Sequence, residues 1–152
     1  MSPSEAEVRR AVTVLDQYRA QLETLQRQQE VLALSLEELM RAKETMVRYQ
    51  RAGKGAEILV PVGANAYLFG KVADADLAII GLGSDLLAKE PIPRAVERLD
   101  IRIKSLQEAT GGLAQRIAEF DARVSAQEEF VQSAVERMSE TPEDALTGKP
   151  GG

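Results

Sequence analysis

Two heptad-spaced apolar runs, separated by a short stretch that breaks the heptad, constrain this chain more than any other feature. Alternate steps of three and four from Val8 land on Ala11, Leu15, Tyr18, Leu22, Leu25, Gln29, Leu32, Leu36, Leu39, Lys43, Met46 and Gln50, and ten of these thirteen positions are apolar. Neither Gly nor Pro occurs from Glu5 to Ala52. Ser4, with Glu7 three residues on, has the pattern of a capping box. Residues 4–52 therefore read as one long helix with a coiled-coil seam.

The second run repeats the pattern over residues 92–141. From Val96 the same steps give Leu99, Ile103, Leu106, Thr110, Leu113, Ile117, Phe120, Val124, Gln127, Val131, Ala134 and Met138, with eleven of thirteen apolar. Pro93 suits the first helical turn, where its missing N–H costs nothing. Gly111-Gly112 lies mid-helix and weakens it by roughly 1 kcal/mol per glycine relative to alanine. The pair reads as a soft spot rather than as a close backbone contact. At 1.5 Å per residue each helix spans on the order of 70 Å. The simplest packing is an intramolecular antiparallel pair, seam to seam, with both termini together at the far tip.

Between the runs, residues 53–91 predict strands at 57–62, 66–72, 76–80 and 86–89, joined as two β-hairpins by turns at Gly63-Ala64-Asn65 and 81–85. The expected fold is mainly α with a small β platform: a long antiparallel coiled-coil hairpin of two helices joined by two β-hairpins, forming one domain over 1–152. Residues 142–152 read as a flexible tail. Neither face of the strands is polar. Ile58, Val60 and Val62 point one way and Leu59 the other; Tyr67 and Phe69 oppose Leu68 and Val72; Leu77 and Ile79 oppose Ile80. Taken as one four-stranded sheet, the segment cannot bury both faces against itself or a thin coiled coil. It therefore reads as an assembly surface, with Ile58, Val60, Val62, Tyr67, Phe69, Leu77, Ile79 and Ile80 as its contact residues.

Composition narrows the function classes. The chain has no Cys and no His, so thiol nucleophiles, imidazole bases and most transition-metal sites are not expected. Its net charge is −5, and the charges are balanced along the helices: eight positive and eight negative in the first, seven and nine in the second. No basic strip invites nucleic acid or an anionic membrane. No run reaches the length of a membrane span, and the N-terminus has neither the basic nor the apolar region of a signal peptide; a cytoplasmic location follows by default. Gly81-Leu82-Gly83 lacks the third glycine of a dinucleotide fingerprint, since Leu86 stands there. Gly70-Lys71 lacks the rest of a phosphate loop. Paired carboxylates such as Glu37-Glu38 and Glu128-Glu129 point apart on their helices. No catalytic constellation and no cofactor site emerge, so an enzyme is not expected.

Helix, two hairpins, helix resembles the alpha-type subunits of the prefoldin family. The similarity rests on Ile58-Leu59-Val60-Pro61-Val62-Gly63, Gly70-Lys71-Val72 and Ile79-Ile80-Gly81-Leu82-Gly83. Ser84-Asp85 and Pro91-Ile92-Pro93 depart from the family pattern near the fourth strand. The resemblance implies a hexamer of two alpha-type and four beta-type subunits, joined by their hairpins. It also implies an ATP-independent holdase whose coiled-coil tips bind unfolded proteins and pass them to a group II chaperonin. In this chain the tip residues Val8, Val12, Val14, Phe130, Val131, Val135 and Met138 become candidate client contacts. Val12, Val14, Phe130 and Val135 lie off the seam, and Met138 is adaptable. The same residues also fit a wider seam within the arm itself. A structural coiled-coil adaptor in another prefoldin-like assembly is the competing function.

Overall fold

The computed structural model describes residues 4–147 of the chain, and side chains over residues 4–139. Element order is α1 (Glu5–Ala52), β1 (Glu57–Gly63), β2 (Ala66–Lys71), β3 (Leu77–Gly83), β4 (Leu86–Pro91) and α2 (Ile92–Thr147). The described residues form two compact units, one within 1–31 and 110–152 and one of 32–109.

The capping box starts α1 as the sequence predicts. The Ser4 N–H donates to Glu7 Oε2 at 2.9 Å, and the Glu7 N–H donates to Ser4 Oγ at 3.2 Å, so two otherwise orphaned donors are satisfied reciprocally. At the other end Gly53 adopts φ 81°, a left-handed conformation that only glycine takes without strain, and its N–H bonds the Tyr49 carbonyl. The heptad positions are the ones turned away from water. Of those in α1 only Gln50 is exposed, and in α2 none is.

In the unit of residues 32–109, Leu39, Ile80, Ala95, Leu99 and Ile103 form the core, flanked by Leu36, Ala42, Met46, Ala78 and Leu106. Lys43 Nζ lies 2.6 Å from Asp100 Oδ1 across the helix pair, so one of the three polar positions in the first heptad run is an ion-pair partner. In the other unit, the Gln127 amide donates to the Ala11 carbonyl at 2.9 Å, Arg19 pairs with Glu128 at 2.9 Å, and Tyr18 meets Phe120 edge-on at 6.3 Å. These contacts fix an antiparallel register. The exposed ion pairs contribute little energy, about 0–1 kcal/mol each, so apolar seam burial carries the stability.

The strands do not form one four-stranded sheet. They form two separate two-stranded antiparallel sheets, β1–β2 and β3–β4. After β2, Val72 turns back on the end of α1: its N–H bonds the Ala56 carbonyl and its carbonyl accepts from Gly55. The Asp74 side chain then accepts from the Asp76 N–H, and the chain is redirected before β3 begins. The fourth strand runs two residues past its expected end, through Glu90 and Pro91, because Leu77 pairs with Pro91 and Ala78 with Glu90. The second helix also continues to Thr147, so the tail expected from residue 142 is helical over its first six positions. Glu143, Ala145 and Leu146 favour helix, whereas Pro142 lacks the N–H for the bond to residue 138 and opposes it. Residues 148–152 lie outside the described part.

Candidate functional site: the hairpin surfaces and the free helix ends

The two hairpins share one design. Each pair in β3–β4 is the corresponding β1–β2 pair moved on by 20 positions, from Glu57–Lys71 to Leu77–Pro91 and from Gly63–Ala66 to Gly83–Leu86. Both close on two residues with positive φ, Ala64 (52°) with Asn65 (58°) and Ser84 (50°) with Asp85 (62°). That is the type I′ geometry whose twist matches antiparallel strands. Both also shift register one residue before the turn, so Val62 and Leu82 have no cross-strand partner.

Cross-strand partners point to the same face, so each register sorts the side chains. In β1–β2, one face carries Leu59 with Phe69 and Pro61 with Tyr67, and the other carries Val60 with Leu68 and Ile58 with Gly70. A side chain at Gly70 would press on Ile58 and Val60, both 3.4 Å from where its Cβ would stand; glycine lets those two fold over the strand. Both faces are open. Phe69 is 83% exposed and Leu68 60%, with Leu59, Val60, Val62 and Tyr67 exposed as well.

In β3–β4 the faces differ. Ile80, Ala78 and Ala88 face the helices, and Ile80 is buried in the core. Glu90 is on that face too, 8% exposed. Both of its oxygens accept from Arg98 Nε, at 2.9 and 2.8 Å. The Arg98 hydrogen bond holds the Glu90 carboxyl below the usual carboxylate range against the opposing pull of burial, and the Arg98 and Arg94 charges add to the effect. The same bond pushes Arg98 up. The opposite face is open, with Ile79 66% and Leu87 72% exposed.

Five of the eight residues expected on the assembly surface are thus exposed: Val60, Val62, Tyr67, Phe69 and Ile79. Ile58 and Leu77 are half-buried, and Ile80 belongs to the chain's own core. Leu59, Leu68, Leu82, Leu86 and Leu87 were not among the expected residues and are exposed. Register and the turn positions place them there; alternation alone does not.

At the free helix ends, Val12, Phe130 and Val135 are exposed, Val14, Val131 and Met138 are half-buried, and Val8 is buried in the seam. Val14 and Phe130 come together with Ala11, Gln127 and Ala134 along an apolar groove of about 390 Å³, edged by Glu7 and Arg10. Exposed apolar groups also occur elsewhere on the helices, at Val31, Leu34, Met40 and Ile101. Among the described residues no group of three or more His, Cys, Asp or Glu is placed to hold a metal ion, and no helix is long and apolar enough to cross a membrane.

The family model described as "Prefoldin subunit" matches residues 18–137, which include both hairpins and most of both helices. The chain belongs to the prefoldin family. Among curated proteins, prefoldin subunit alpha of Pyrococcus horikoshii is 29% identical over 124 residues, covering 81% of this chain and 84% of that one. Prefoldin subunit alpha of Methanothrix thermoacetophila is 26% identical over 106 residues, covering 70% and 69%. Among solved structures, a chain of filamentous PFD from Methanocaldococcus jannaschii superposes with a TM-score of 0.64 at 27% identity, covering 75% of this chain and 94% of that one. Two long helices bearing two small hairpins are therefore the prefoldin fold, and the alpha-type resemblance agrees with the relatives' names. Prefoldins are chaperone subunits, and the alpha subunits assemble with other prefoldin subunits.

Proposed function

We propose that the chain is the alpha-type subunit of a cytoplasmic, ATP-independent holdase. Two copies join four beta-type subunits through their hairpins. The coiled-coil tips hold unfolded proteins and hand them to a group II chaperonin. No catalysis and no cofactor enter the cycle.

The observation that carries this reading is the hairpin surface. Phe69, Leu68, Ile79 and Leu87 stand largely in solvent on two-stranded sheets whose outer strand edges pair with no other strand among the described residues. A surface of this kind on a single chain calls for association. Each such side chain contributes roughly 1.5–3 kcal/mol when fully buried, part of which offsets the cost of ordering the partners.

Native mass spectrometry of the chain, alone and mixed with a beta-type prefoldin subunit, tests the assembly. A discrete complex of two copies with four partners is expected. A chain that stays monomeric in the mixture would remove the basis for the reading. The assembled complex should then suppress aggregation of a chemically unfolded protein without added nucleotide.

A further inference from the structure

Within the unit of residues 32–109, one flank of the helix pair carries a groove of about 1250 Å³ lined by residues of the two helices alone. Its floor is Leu36, Met40 and Val47 of α1 with Ile103 of α2. Met40 lies off the seam and is 51% exposed, yet it belongs to a stripe with an order of its own. Leu36, Met40, Lys43 and Val47 follow one another by steps of four, three and four, which is the spacing of a coiled-coil seam. The stripe is a second seam beside the one that α2 covers, and it shares Leu36 and Lys43 with it. Its exposed member is a methionine, a side chain that adapts to the shape of a partner.

The rim of the groove is cationic. Five basic side chains stand against three acidic ones, on a chain whose net charge is −5. Each acid already has a partner: Glu37 with Arg41 at 2.8 Å, Glu44 with Arg48 at 2.7 Å and Asp100 with Lys43 at 2.6 Å. Arg51 and Lys104, one on each helix, pair with no acid among the described residues. A second copy of the same groove would bring like charge to like charge, so self-association here is opposed. The walls are helices whose main chain is paired within itself inside the terminal turns, so an occupant must satisfy its own main chain. A helix does this and an extended strand does not. Apolar side chains at steps of three and four would fill the stripe, and carboxylates beside them would meet Arg51 and Lys104.

We propose that this groove docks an acidic amphipathic helix of another protein, laid along α1 as a third helix. From Leu36 to Arg51 the groove runs about 22 Å, the length of a helix of about 15 residues. The site is built by the helices of one chain, so it is independent of the assembly reading and of client holding at the free helix ends.

Fluorescence anisotropy with the full chain tests it, using three labelled peptides of about 15 residues. The first has leucines at steps of four and three with glutamates flanking them, the second has lysine for each glutamate, and the third has the composition of the first in shuffled order. The first should bind, with an affinity that falls as salt rises, and the other two should bind about tenfold or more weakly. Met40→Ser, and separately Arg51→Glu with Lys104→Glu, should each weaken the first peptide about tenfold. The charge-reversed chain should also bind the lysine peptide better than the parent does. Phe69→Ser on a hairpin and Phe130→Ser at the free helix ends should leave binding unchanged. Absence of binding by the first peptide would overturn the proposal, as would equal binding of the shuffled or lysine peptide, or a charge-reversed chain that binds like the parent. Loss of binding in the Phe69→Ser or Phe130→Ser chain would place the peptide on another surface and overturn it as well. Each of these outcomes leaves the native mass of the complex with beta-type subunits, and the assembly reading with it, untouched.

Discussion

At the scale of single residues, the pair Glu90–Arg98 shows how a charged side chain comes to sit on a covered sheet face. Glu90 looks in sequence like the polar end of a strand. It is held inside by a guanidinium eight residues further on, a partner no local pattern reveals, and it lies one residue past the end expected for the fourth strand. The pair also makes a pH prediction. Because the folded pKa of Glu90 is lowered, its contribution is fully present above the unfolded value of about 4.3. It is lost as pH falls through the lower folded value, while Arg98 stays charged. Glu90→Gln should lower the Tm at neutral pH, and the difference from wild type should stay constant down to about pH 5 and shrink below about pH 4. Melting curves of both chains across that range give the answer; a gap that persists undiminished in acid would mean that the carboxylate charge is not its source. Residue burial also separates two groups that alternation had merged. Ile80 and Phe69 read alike in sequence, but one is core and the other is among the most exposed apolar side chains of the chain.

At the scale of elements, the helices were legible and the sheet was only partly so. A seam every three or four residues needs no tertiary knowledge, and the heptad positions are buried or half-buried with the single exception of Gln50. Strand ends and sheet grouping depend on pairing between distant residues, so the four-stranded sheet and the short fourth strand were not what forms. The 20-residue offset between Gly63-Ala64-Asn65 and Gly83-Ser84-Asp85 was present in the sequence, and it was the available sign that two equivalent hairpins form separately. The helical glycines support a second prediction. Gly111 and Gly112 are inside α2, and a Cβ on either would meet nothing within 4 Å. The soft-spot reading therefore fits and a close backbone approach does not. Gly111→Ala and Gly112→Ala should each stabilise the chain by about 1 kcal/mol, read as a rise in Tm with the helical circular-dichroism signal preserved. If either variant melts lower, the glycine has a role that its surroundings do not explain.

At the scale of the whole molecule, two kinds of exposed apolar surface must be assigned to two tasks, and the physical difference between them is the open strand edge. The hairpins carry unpaired main-chain groups along with their apolar side chains, which suits a lasting, geometrically specific partner. Inside their terminal turns the helices pair their main chain within themselves and present side chains: Val12 and Val135 are exposed, and Phe130 lines a groove with Val14 and Ala134. Contacts of that kind are weak singly, at most roughly 1.5–3 kcal/mol per fully buried group. They do not select a defined partner geometry, so holding a client requires several arms acting at high effective concentration. A combined Val12→Ser, Phe130→Ser, Val135→Ser chain should therefore assemble with beta-type subunits like the parent, with an unchanged native mass. It should lose a measurable part of the suppression of client aggregation, about twofold or more at equal complex concentration. The same substitutions should leave the unfolding free energy within about 1 kcal/mol of wild type, because all three side chains are already exposed in the folded chain. Full suppression by the triple variant would assign these residues to the arm's own packing and leave client binding to the other subunits. A loss of assembly would instead show that the helix ends and the hairpins do not divide the work in this way.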